Sequence, residues 1–300
     1  MPEVTGATRV LGVIGWPVSH SFSPPMHNAA LSALGLDYIY VPFPVAPQDL
    51  SAALAGLRAA GVVGFNATIP HKEALCALVD HRTPEAELTG TVNTVHFTAN
   101  GVVGDSTDGP GFLAALTAAG GGVEGLEVVV LGAGGSARAI SVSLARAGAA
   151  LLTLGNRTAA RAELLADLLE TRVRRGVTAV VEWEGDALAR ALSRADLIVQ
   201  TTSVGMYPHS DEQPLRLPEL KAGSRLVDII YRPSRTRLMD EAAARGAQVA
   251  NGVDMLVAQG ALAFERWTGA RAPLARMREA LLAELEKRAA AAPNGVAEKR

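Results

Sequence analysis

The sequence predicts an α/β protein of two domains, an N-terminal α/β domain followed by a doubly wound parallel sheet. Three observations support this prediction. The chain has 300 residues, about twice the length of a typical domain. Short apolar runs alternate with helical patterns through most of the chain, which is typical of sheets covered by helices. Near the middle of the chain, in VVVLGAGGSARA, an apolar run leads directly into a glycine-rich segment.

Composition favours a folded protein whose partners are small molecules. Hydrophobic residues make up 49% of the chain and charged residues 19%, with a net charge of −2. This balance provides no broad basic field for nucleic acid or anionic lipid. The single cysteine, Cys76, cannot form an intrachain disulfide, and no apolar run reaches the roughly 18 residues of a membrane span. We therefore expect a cytoplasmic protein that binds neither nucleic acid nor membrane.

The elements of the first domain follow from the apolar runs in order. The glycine cluster at 120–122 marks its end. Strands are predicted over 9–16, 37–43, 62–68, 91–97 and 101–106. Helices are predicted over 23–35, 47–61 and 107–120, and a further helix begins at Pro70.

The middle of the chain repeats the alternation. Its short β runs, separated by helices of ten or more residues, describe a parallel, doubly wound sheet. The chain is then predicted helical from Gly252 to about Ala290, with a disordered tail over 291–300. Strands are predicted over 126–131, 151–155, 177–183, 195–203, 224–231 and 247–252.

The glycine-rich segment has the GxGxxA form of a dinucleotide fingerprint. Gly132 permits a tight turn, Gly134 lets the backbone approach a pyrophosphate, and the following helix N-terminus favours anions. A strand precedes the segment and a second strand follows about twenty residues later, as the fingerprint requires. The sequence therefore predicts a Rossmann domain.

The residues after the second strand of this domain indicate which dinucleotide binds. An NAD site usually has an acidic residue there, whereas arginine accommodates the extra phosphate of NADP. This chain has NRTAAR, which places Arg157 and Arg161 about one helical turn apart. The alternatives are a solvated helix start and an NAD site. We favour NADP because two arginines stand where the acid is expected.

Lys72 stands out in the N-terminal half. The chain has four lysines, and Lys72 is the only one in the first 220 residues. It is predicted at a helix N-terminus, where the partial positive charge disfavours a cation. A catalytic role is one reason to retain a lysine at such a position.

Polar residues also gather at the predicted strand ends of the N-terminal half. If that sheet is parallel, these ends converge on one crevice, where open α/β folds bind ligands. A hydroxyl- and amide-rich set with one cation suits a small polyhydroxylated substrate. Taken singly, Ser23, Thr68 and Asp108 have the alternative role of helix caps. The set comprises Ser21, Ser23, Asn66, Thr68, Lys72, Asn93 and Asp108.

The histidines of this half do not indicate a metal site. His20, His27 and His71 could be combined with Asp105 and Asp108, but their spacing follows no familiar ligand pattern. We predict no metal.

Ordered motifs along nearly the whole chain resemble the shikimate dehydrogenase family, NADP-dependent enzymes of aromatic amino-acid and chorismate biosynthesis. The motifs are GWPVSHSFSPPMHN, NATIPHK, VNT, TDGPG, GAGGSAR, NRT, TTSVGM, VDIIYRP and MLVAQGALAFERWTG. The resemblance implies a shikimate-binding catalytic domain over 1–112, completed by the C-terminal helices over 252–290, and an NADP-binding Rossmann domain over 113–251.

The resemblance also implies roles for individual residues. Lys72 and Asp108 match the catalytic pair, and Ser21 and Ser23 match the residues that hold the shikimate carboxylate, with Tyr231 assisting. Asn66, Thr68, Asn93 and Gln259 match substrate hydroxyl ligands. The implied NADP contacts are Gly132, Ala133, Gly134, Gly135, Ser136, Ala137, Asn156, Arg157, Thr158, Arg161, Thr201, Ile229, Gly252 and Met255.

Two alternative functions stay open at this point. One is a quinate/shikimate dehydrogenase with relaxed substrate or cofactor choice, although quinate users in the family often carry threonine where this chain has Ser23. The other is a non-catalytic NADP sensor, which would be expected to lack Lys72 or Asp108. The protein is expected to be a monomer or a homodimer.

Overall fold

The computed structural model describes residues 4–291, which form two compact units. Unit 1 comprises residues 4–111 and 256–291, and unit 2 comprises residues 112–255. Unit 1 is therefore built from two stretches of sequence separated by the whole of unit 2. The predicted tail over 291–300 lies outside the described residues, apart from Ala291.

Unit 1 contains a six-stranded mixed sheet. Its strands are β1 (Arg9–Gly15), β2 (Tyr38–Pro44), β3 (Gly64–Ala67), β4 (His81–Arg82), β5 (Thr94–Thr98) and β6 (Gly101–Asp105). Their order across the sheet is β2-β1-β3-β5-β6-β4. The helices of this part of the chain are α1 (Ser23–Ala33), α2 (Leu50–Ala59) after a short 3-10 turn at Pro47–Asp49, α3 (Lys72–Leu78), α4 (Pro84–Thr89) and α5 (Asp108–Ala118).

Strand β5 runs antiparallel to both of its neighbours, β3 and β6, while the other pairs of this sheet are parallel. The cause is a two-residue hairpin that joins β5 to β6, with Thr98 paired to Gly101. Gly101 has a φ of +130°, which favours glycine. Since β5 is reversed, its first residue lies at the edge where the parallel strands end. Asn93, just before β5, is thereby brought to that edge.

Unit 2 contains a six-stranded sheet in which every pair is parallel. Its order, β12-β11-β10-β7-β8-β9, is the doubly wound Rossmann order, which reverses direction between β7 and β10. The strands are β7 (Glu127–Leu131), β8 (Leu151–Gly155), β9 (Thr178–Val181), β10 (Leu197–Gln200), β11 (Arg225–Asp228) and β12 (Gln248–Ala250); the helices between them are α6 (Gly135–Arg146), α7 (Ala159–Arg172), α8 (Asp186–Arg194) and α9 (Arg237–Ala244).

The chain returns to unit 1 through α10 (Val253–Thr268) and ends with α11 (Leu274–Ala291). Helix α11 packs on α1. Trp267 of α10 donates its indole N–H to the Val95 carbonyl of β5, 2.9 Å away. These contacts make the last two helices part of the N-terminal unit. The prediction of an α/β protein with two domains and a doubly wound second sheet is confirmed.

Each unit has its own apolar core. In unit 1, Phe65, Leu75 and Val95 are fully buried within one cluster. In unit 2, Leu131, Ile198 and Leu226 from adjacent strands are buried in another. Buried parallel strands read as continuous apolar runs, which is why VVVL and LIV were recognisable in the sequence.

Candidate active site

Unit 1 brings Lys72 and Asp108 into direct contact. Lys72 is the first residue of α3 and Asp108 the first residue of α5. Lys72 Nζ lies 2.5 Å from Asp108 Oδ2, and only 16% and 7% of the two side chains are exposed. A close ion pair of low exposure, next to polar side chains at a sheet edge, can exchange a proton with a bound ligand.

Asn93 connects this pair to its surroundings. Its Nδ2 donates to Asp108 Oδ1 at 2.8 Å and to Thr107 Oγ1 at 3.0 Å. Its Oδ1 accepts from the Thr107 backbone N–H at 2.8 Å. The Asp108 carboxylate is thereby held through Oδ1 by the amide and through Oδ2 by Lys72.

Gln259 reaches the same cluster from α10. Its Oε1 accepts from Asn93 Nδ2 at 3.3 Å, and its Nε2 donates to the Leu256 carbonyl at 2.9 Å. A Cβ at Gly111 of α5 would lie 2.7 Å from the Gln259 backbone nitrogen. The two helices approach closely because Gly111 has no side chain, which lets Gln259 face Asn93.

Asn66 and Thr68 lie at the end of β3. Asn66 is 5% exposed, and its Nδ2 donates to the Asn93 carbonyl at 3.2 Å. The Thr68 backbone N–H donates to the Ile14 carbonyl at 3.0 Å, which keeps the chain in line with β1 past the end of β3. Both residues therefore lie at the edge of the sheet that carries Asn93.

Ser21 and Ser23 lie where the chain enters α1. Ser21 Oγ accepts from the Ser23 backbone N–H at 3.2 Å. Ser23 is 7% exposed and is the first residue of α1, with Phe22 as N-cap. The Ser23 side chain therefore does not act as the helix cap.

Tyr231 is placed differently from the other predicted substrate residues. It follows β11 and belongs to unit 2. Unit 1 links Lys72, Asp108, Asn93, Gln259 and Asn66 through hydrogen bonds, but it does not contain Tyr231. The substrate role of Tyr231 stays a prediction.

In unit 2, Gly132 forms the turn that follows β7. Its φ is +110°, and a Cβ there would lie 2.5 Å from Thr201 Oγ1. Thr201 follows β10 and donates its hydroxyl and its backbone N–H to the Leu131 carbonyl, at 2.7 Å and 2.9 Å. Only glycine fits this position, which lies where the strand order reverses and where doubly wound sheets bind nucleotides.

The N-terminus of α6 has the features of a phosphate site. Gly134 is its N-cap, no side chain caps it, and a Cβ at Gly134 would meet no atom within 4 Å. A helix N-terminus beside open space favours an anion. Ala133 and Ala137 are buried, while Gly135 and Ser136 form the first turn. These residues fit the pyrophosphate of a dinucleotide.

The segment after β8 presents cations. Asn156 Nδ2 donates to the Thr158 carbonyl at 2.9 Å, and the Arg161 N–H donates to the same carbonyl at 3.0 Å. Arg157, Thr158 and Arg161 are exposed. Within residues 4–291 neither guanidinium forms an ion pair. Two available arginines without an acidic residue at the strand end fit the 2′-phosphate of NADP.

Ile229 and Gly252 are in direct backbone contact. A Cβ at Gly252 would lie 1.9 Å from the Ile229 carbonyl oxygen, and the Gly252 N–H donates to the Ile230 carbonyl at 3.0 Å. Met255, at the start of α10, is 7% exposed. The segment after β11 is thus packed against the start of α10, and both carry predicted cofactor residues.

Asp228 organises the segment that carries Ile229 and Tyr231. Its Oδ1 accepts from the Ile230 N–H at 3.0 Å and its Oδ2 from the Thr236 hydroxyl at 2.8 Å. Burial raises the pKa of the Asp228 carboxyl to about 6. Asp228 is not among the site residues predicted from the sequence, although a lone aspartate at the end of the apolar strand in VDIIY is a visible signal.

Neither a metal cluster nor a membrane-spanning helix occurs in the described part of the chain. Within residues 4–291, no group of three or more histidine, cysteine, aspartate or glutamate side chains is arranged to hold a metal ion. Over the same residues, no helix combines the length and apolar character needed to cross a membrane.

Two family models match the chain. The shikimate dehydrogenase substrate binding domain matches residues 13–95, and the shikimate 5′-dehydrogenase C-terminal domain matches residues 252–282. The first range contains Ser21, Ser23, Asn66 and Lys72. The second contains Gly252 and Gln259.

Individual proteins match over nearly the whole chain. A shikimate dehydrogenase (NADP(+)) of Methanopyrus kandleri is 49% identical over 94% of this chain and 98% of the relative. One of Geobacter metallireducens is 47% identical over 95% of this chain and all of the relative. The crystal structure of shikimate 5-dehydrogenase from Thermus thermophilus in complex with NADP(H) and shikimate has a TM-score of 0.81 and 38% identity, covering 92% of this chain and 99% of that chain.

Proposed function

Because the chain belongs to the shikimate dehydrogenase family, we propose that it catalyses the reversible NADP-dependent reduction of 3-dehydroshikimate to shikimate. The observation that carries this proposal is the contact between Lys72 and Asp108, joined by Asn93 and Gln259. This cluster links a cation, a carboxylate and two amides at the edge of the unit 1 sheet predicted to bind substrate.

The chemistry of the reaction explains the ion pair. NADP, when bound, accepts a hydride from a secondary alcohol, or NADPH returns one to the ketone. The alcohol proton must leave in one direction and return in the other. Lys72 and Asp108 act as one unit that accepts and donates this proton, and the ammonium stabilises the negative charge that develops on the oxygen.

The remaining residues of unit 1 give the substrate its orientation. The hydroxyls of Ser21 and Ser23 suit a carboxylate, and the amides of Asn66, Asn93 and Gln259 suit ring hydroxyls. Thr68 and Tyr231 belong to the same proposal, Tyr231 on the carboxylate. These assignments rest on the resemblance together with the placement of the side chains.

In unit 2 we assign the pyrophosphate to the α6 N-terminus with Gly132 to Ala137. The 2′-phosphate is assigned to Arg157 and Arg161, with Asn156 and Thr158 shaping the turn. The nicotinamide end is assigned to the segments that carry Thr201, Ile229, Gly252 and Met255. We accordingly propose that unit 1 is the substrate domain and unit 2 the NADP domain. We also propose that the protein is cytoplasmic and is a monomer or a homodimer. Light scattering of the purified protein tests the oligomeric state.

The test is steady-state kinetics with shikimate and quinate, each with NADP and with NAD, followed by absorbance of the reduced cofactor. We expect the highest kcat/KM for shikimate with NADP. Higher kcat/KM for quinate or for NAD would contradict the proposal. Relaxed quinate use is not favoured, because the relatives at 44–49% identity carry the name shikimate dehydrogenase (NADP(+)).

A further inference from the structure

Tyr40 is held in place by the Asn28 side chain. Tyr40 lies on β2, an edge strand of the unit 1 sheet, and is 1% exposed. Asn28 Nδ2 donates to the Tyr40 carbonyl at 2.8 Å, and the Tyr40 N–H donates to Asn28 Oδ1 at 2.9 Å. Asn28 thus supplies the two backbone hydrogen bonds that a further strand would otherwise supply.

The neighbouring residue His27 holds the Tyr40 ring. The two rings are stacked, with centroids 4.3 Å apart and an interplanar angle of 6°. His27 is fully buried, and neither of its ring nitrogens has a hydrogen-bond partner among the described residues. Burial lowers the pKa of His27 to about 3, so the imidazole is neutral. Two adjacent residues of the MHN sequence therefore hold Tyr40: His27 contacts its ring and Asn28 its backbone.

The Tyr40 hydroxyl lies 2.8 Å from Asn66 Oδ1, and the Ser23 side chain is a second hydrogen-bond partner of this phenol. The orientation of this amide follows from its other contacts. Asn66 Nδ2 lies 3.2 Å from the Asn93 carbonyl, and a carbonyl oxygen can only accept. The amide oxygen must therefore face Tyr40, and the phenol must be the donor. Burial raises the Tyr40 pKa well above its usual range, so the phenol keeps its proton.

The hydrogen-bonding capacity of Asn66 is then almost used up. The two hydrogens on Nδ2 go to the Asn93 carbonyl and to Thr94 Oγ1, at 3.2 Å and 3.1 Å. Oδ1 can accept two hydrogen bonds and has accepted one from Tyr40. Towards a ligand, Asn66 can therefore offer an acceptor.

We propose that Tyr40, held by His27 and Asn28, is a positioning residue that fixes the Asn66 amide so that Asn66 accepts a hydrogen bond from a substrate hydroxyl. This inference rests on the proposed function, because it assigns Asn66 to the substrate. It gives a role in the site to the MHN sequence, whose side chains do not themselves join the cluster around Asp108.

Tyr38 provides a matched control on the same strand. It lies two residues before Tyr40, on the same face of β2, and is also buried. Its hydroxyl accepts from Arg9 instead of contacting Asn66. Tyr38→Phe and Tyr40→Phe thus remove the same atom from neighbouring positions.

The first test is kinetic. Tyr40→Phe keeps the ring that stacks on His27 and removes the hydroxyl, so we expect KM for shikimate to rise about three- to tenfold. We expect kcat to stay within about twofold, because positioning contributes to binding in ground and transition states alike. KM for NADP should not change. Tyr38→Phe should match the wild-type protein, and a wild-type KM in Tyr40→Phe overturns the inference.

The second test asks whether Tyr40 acts through Asn66. In an Asn66→Ala background, Tyr40→Phe should cause no further rise in KM, whereas an undiminished rise overturns the inference. If the wild-type protein does not reduce NADP with shikimate, the proposed function fails. The contact between Tyr40 and Asn66 can then still be tested by unfolding. If the two side chains interact, the decrease in unfolding free energy in the double variant should differ from the sum of the decreases in the two single variants. Additive decreases overturn the inference.

Discussion

Lys72 and Asp108 form an ion pair whose Nζ–Oδ2 distance of 2.5 Å equals the Nζ–Oδ1 distance between Lys221 and Asp196. The two pairs differ in their surroundings. The side chain of Lys72 is 16% exposed, whereas that of Lys221 is 50% exposed. The carboxylate of Asp108 also accepts from Asn93. A lysine–aspartate pair thus occurs once within a hydrogen-bonded polar cluster, as Lys72 and Asp108, and once with a half-exposed lysine, as Lys221 and Asp196.

This contrast supplies the control for the catalytic assignment. We predict that Lys72→Ala lowers kcat for shikimate oxidation by about two to four orders of magnitude, the range of general acid–base groups. Lys221→Ala, which removes a comparably close but exposed pair, should leave kcat unchanged. Near-wild-type turnover by purified, folded Lys72→Ala would show that the pair carries no proton in the reaction.

The cofactor assignment predicts a selective loss. Arg157→Ala should weaken NADP binding by about tenfold to a hundredfold, since a charge-assisted contact to phosphate is lost. NAD binding should change little, because NAD has no 2′-phosphate. Arg172→Ala, at the exposed other end of α7, is the matched control. Titration of both cofactors by fluorescence decides the matter, and equal losses for NADP and NAD would reject the phosphate assignment.

The site residues that can be predicted from the sequence are those whose positions depend on local chain geometry. Gly132 could be identified because a turn with positive φ, between a strand and a helix, leaves a glycine signature at fixed spacing. Arg157 could be identified because its place after β8 is set by the same local unit. The doubly wound sheet was predictable for the same reason, since each strand and helix has its own periodicity.

Other parts depend on which residues meet across the fold. Tyr38 and Tyr40 cannot be distinguished in DYIYVPF, and only the tertiary structure places Asn66 opposite one of them. Gln259 is 166 positions from its partner Asn93, so spacing carried no information about it. The reversal of β5 depends on pairing with β3, which local sequence does not specify.

His27 predicts how acid affects the protein. Its pKa is about 3 in the folded protein, against an ordinary value of 6.5. Below pH 6.5 the unfolded chain therefore binds a proton that the folded chain does not. The free energy of unfolding should fall as pH decreases from 6.5 towards 3, with a slope of up to about 1.4 kcal/mol per pH unit from this residue.

His27→Phe keeps a flat ring against Tyr40 and removes the titrating group. Urea unfolding of the wild-type protein and His27→Phe at about pH 7 and about pH 5 should show a shallower pH dependence for the variant. Comparing slopes makes the test independent of any constant packing cost in the variant. Parallel slopes would mean that His27 is protonated in the folded protein.

Asp228 predicts the opposite sign. Its pKa is raised from 3.8 to about 6, so the folded protein binds the proton more tightly than the unfolded chain. The stability that this residue contributes is present below pH 3.8 and is lost as pH rises to about 6. The loss is on the order of 3 kcal/mol.

Asp228→Asn should therefore stabilise the protein at about pH 7 and lose this advantage at about pH 4. An amide can still accept from the Ile230 N–H, and the Thr236 hydroxyl can reverse its role. Asp240→Asn, which changes an exposed aspartate on α9, should show no such pH-dependent gain. Thermal unfolding across this pH range is the measurement, and a gain that does not depend on pH would contradict the assigned titration.

The division of unit 1 into two stretches has a consequence for translation. The ribosome synthesises residues 4–111 before unit 2, whereas α11, which packs on α1, and Trp267, which bonds to Val95, are made after unit 2. Unit 2 is continuous in sequence and needs nothing that follows Met255. We expect unit 2 to become resistant to protease during synthesis before residues 4–111 do, although residues 4–111 are made earlier than unit 2.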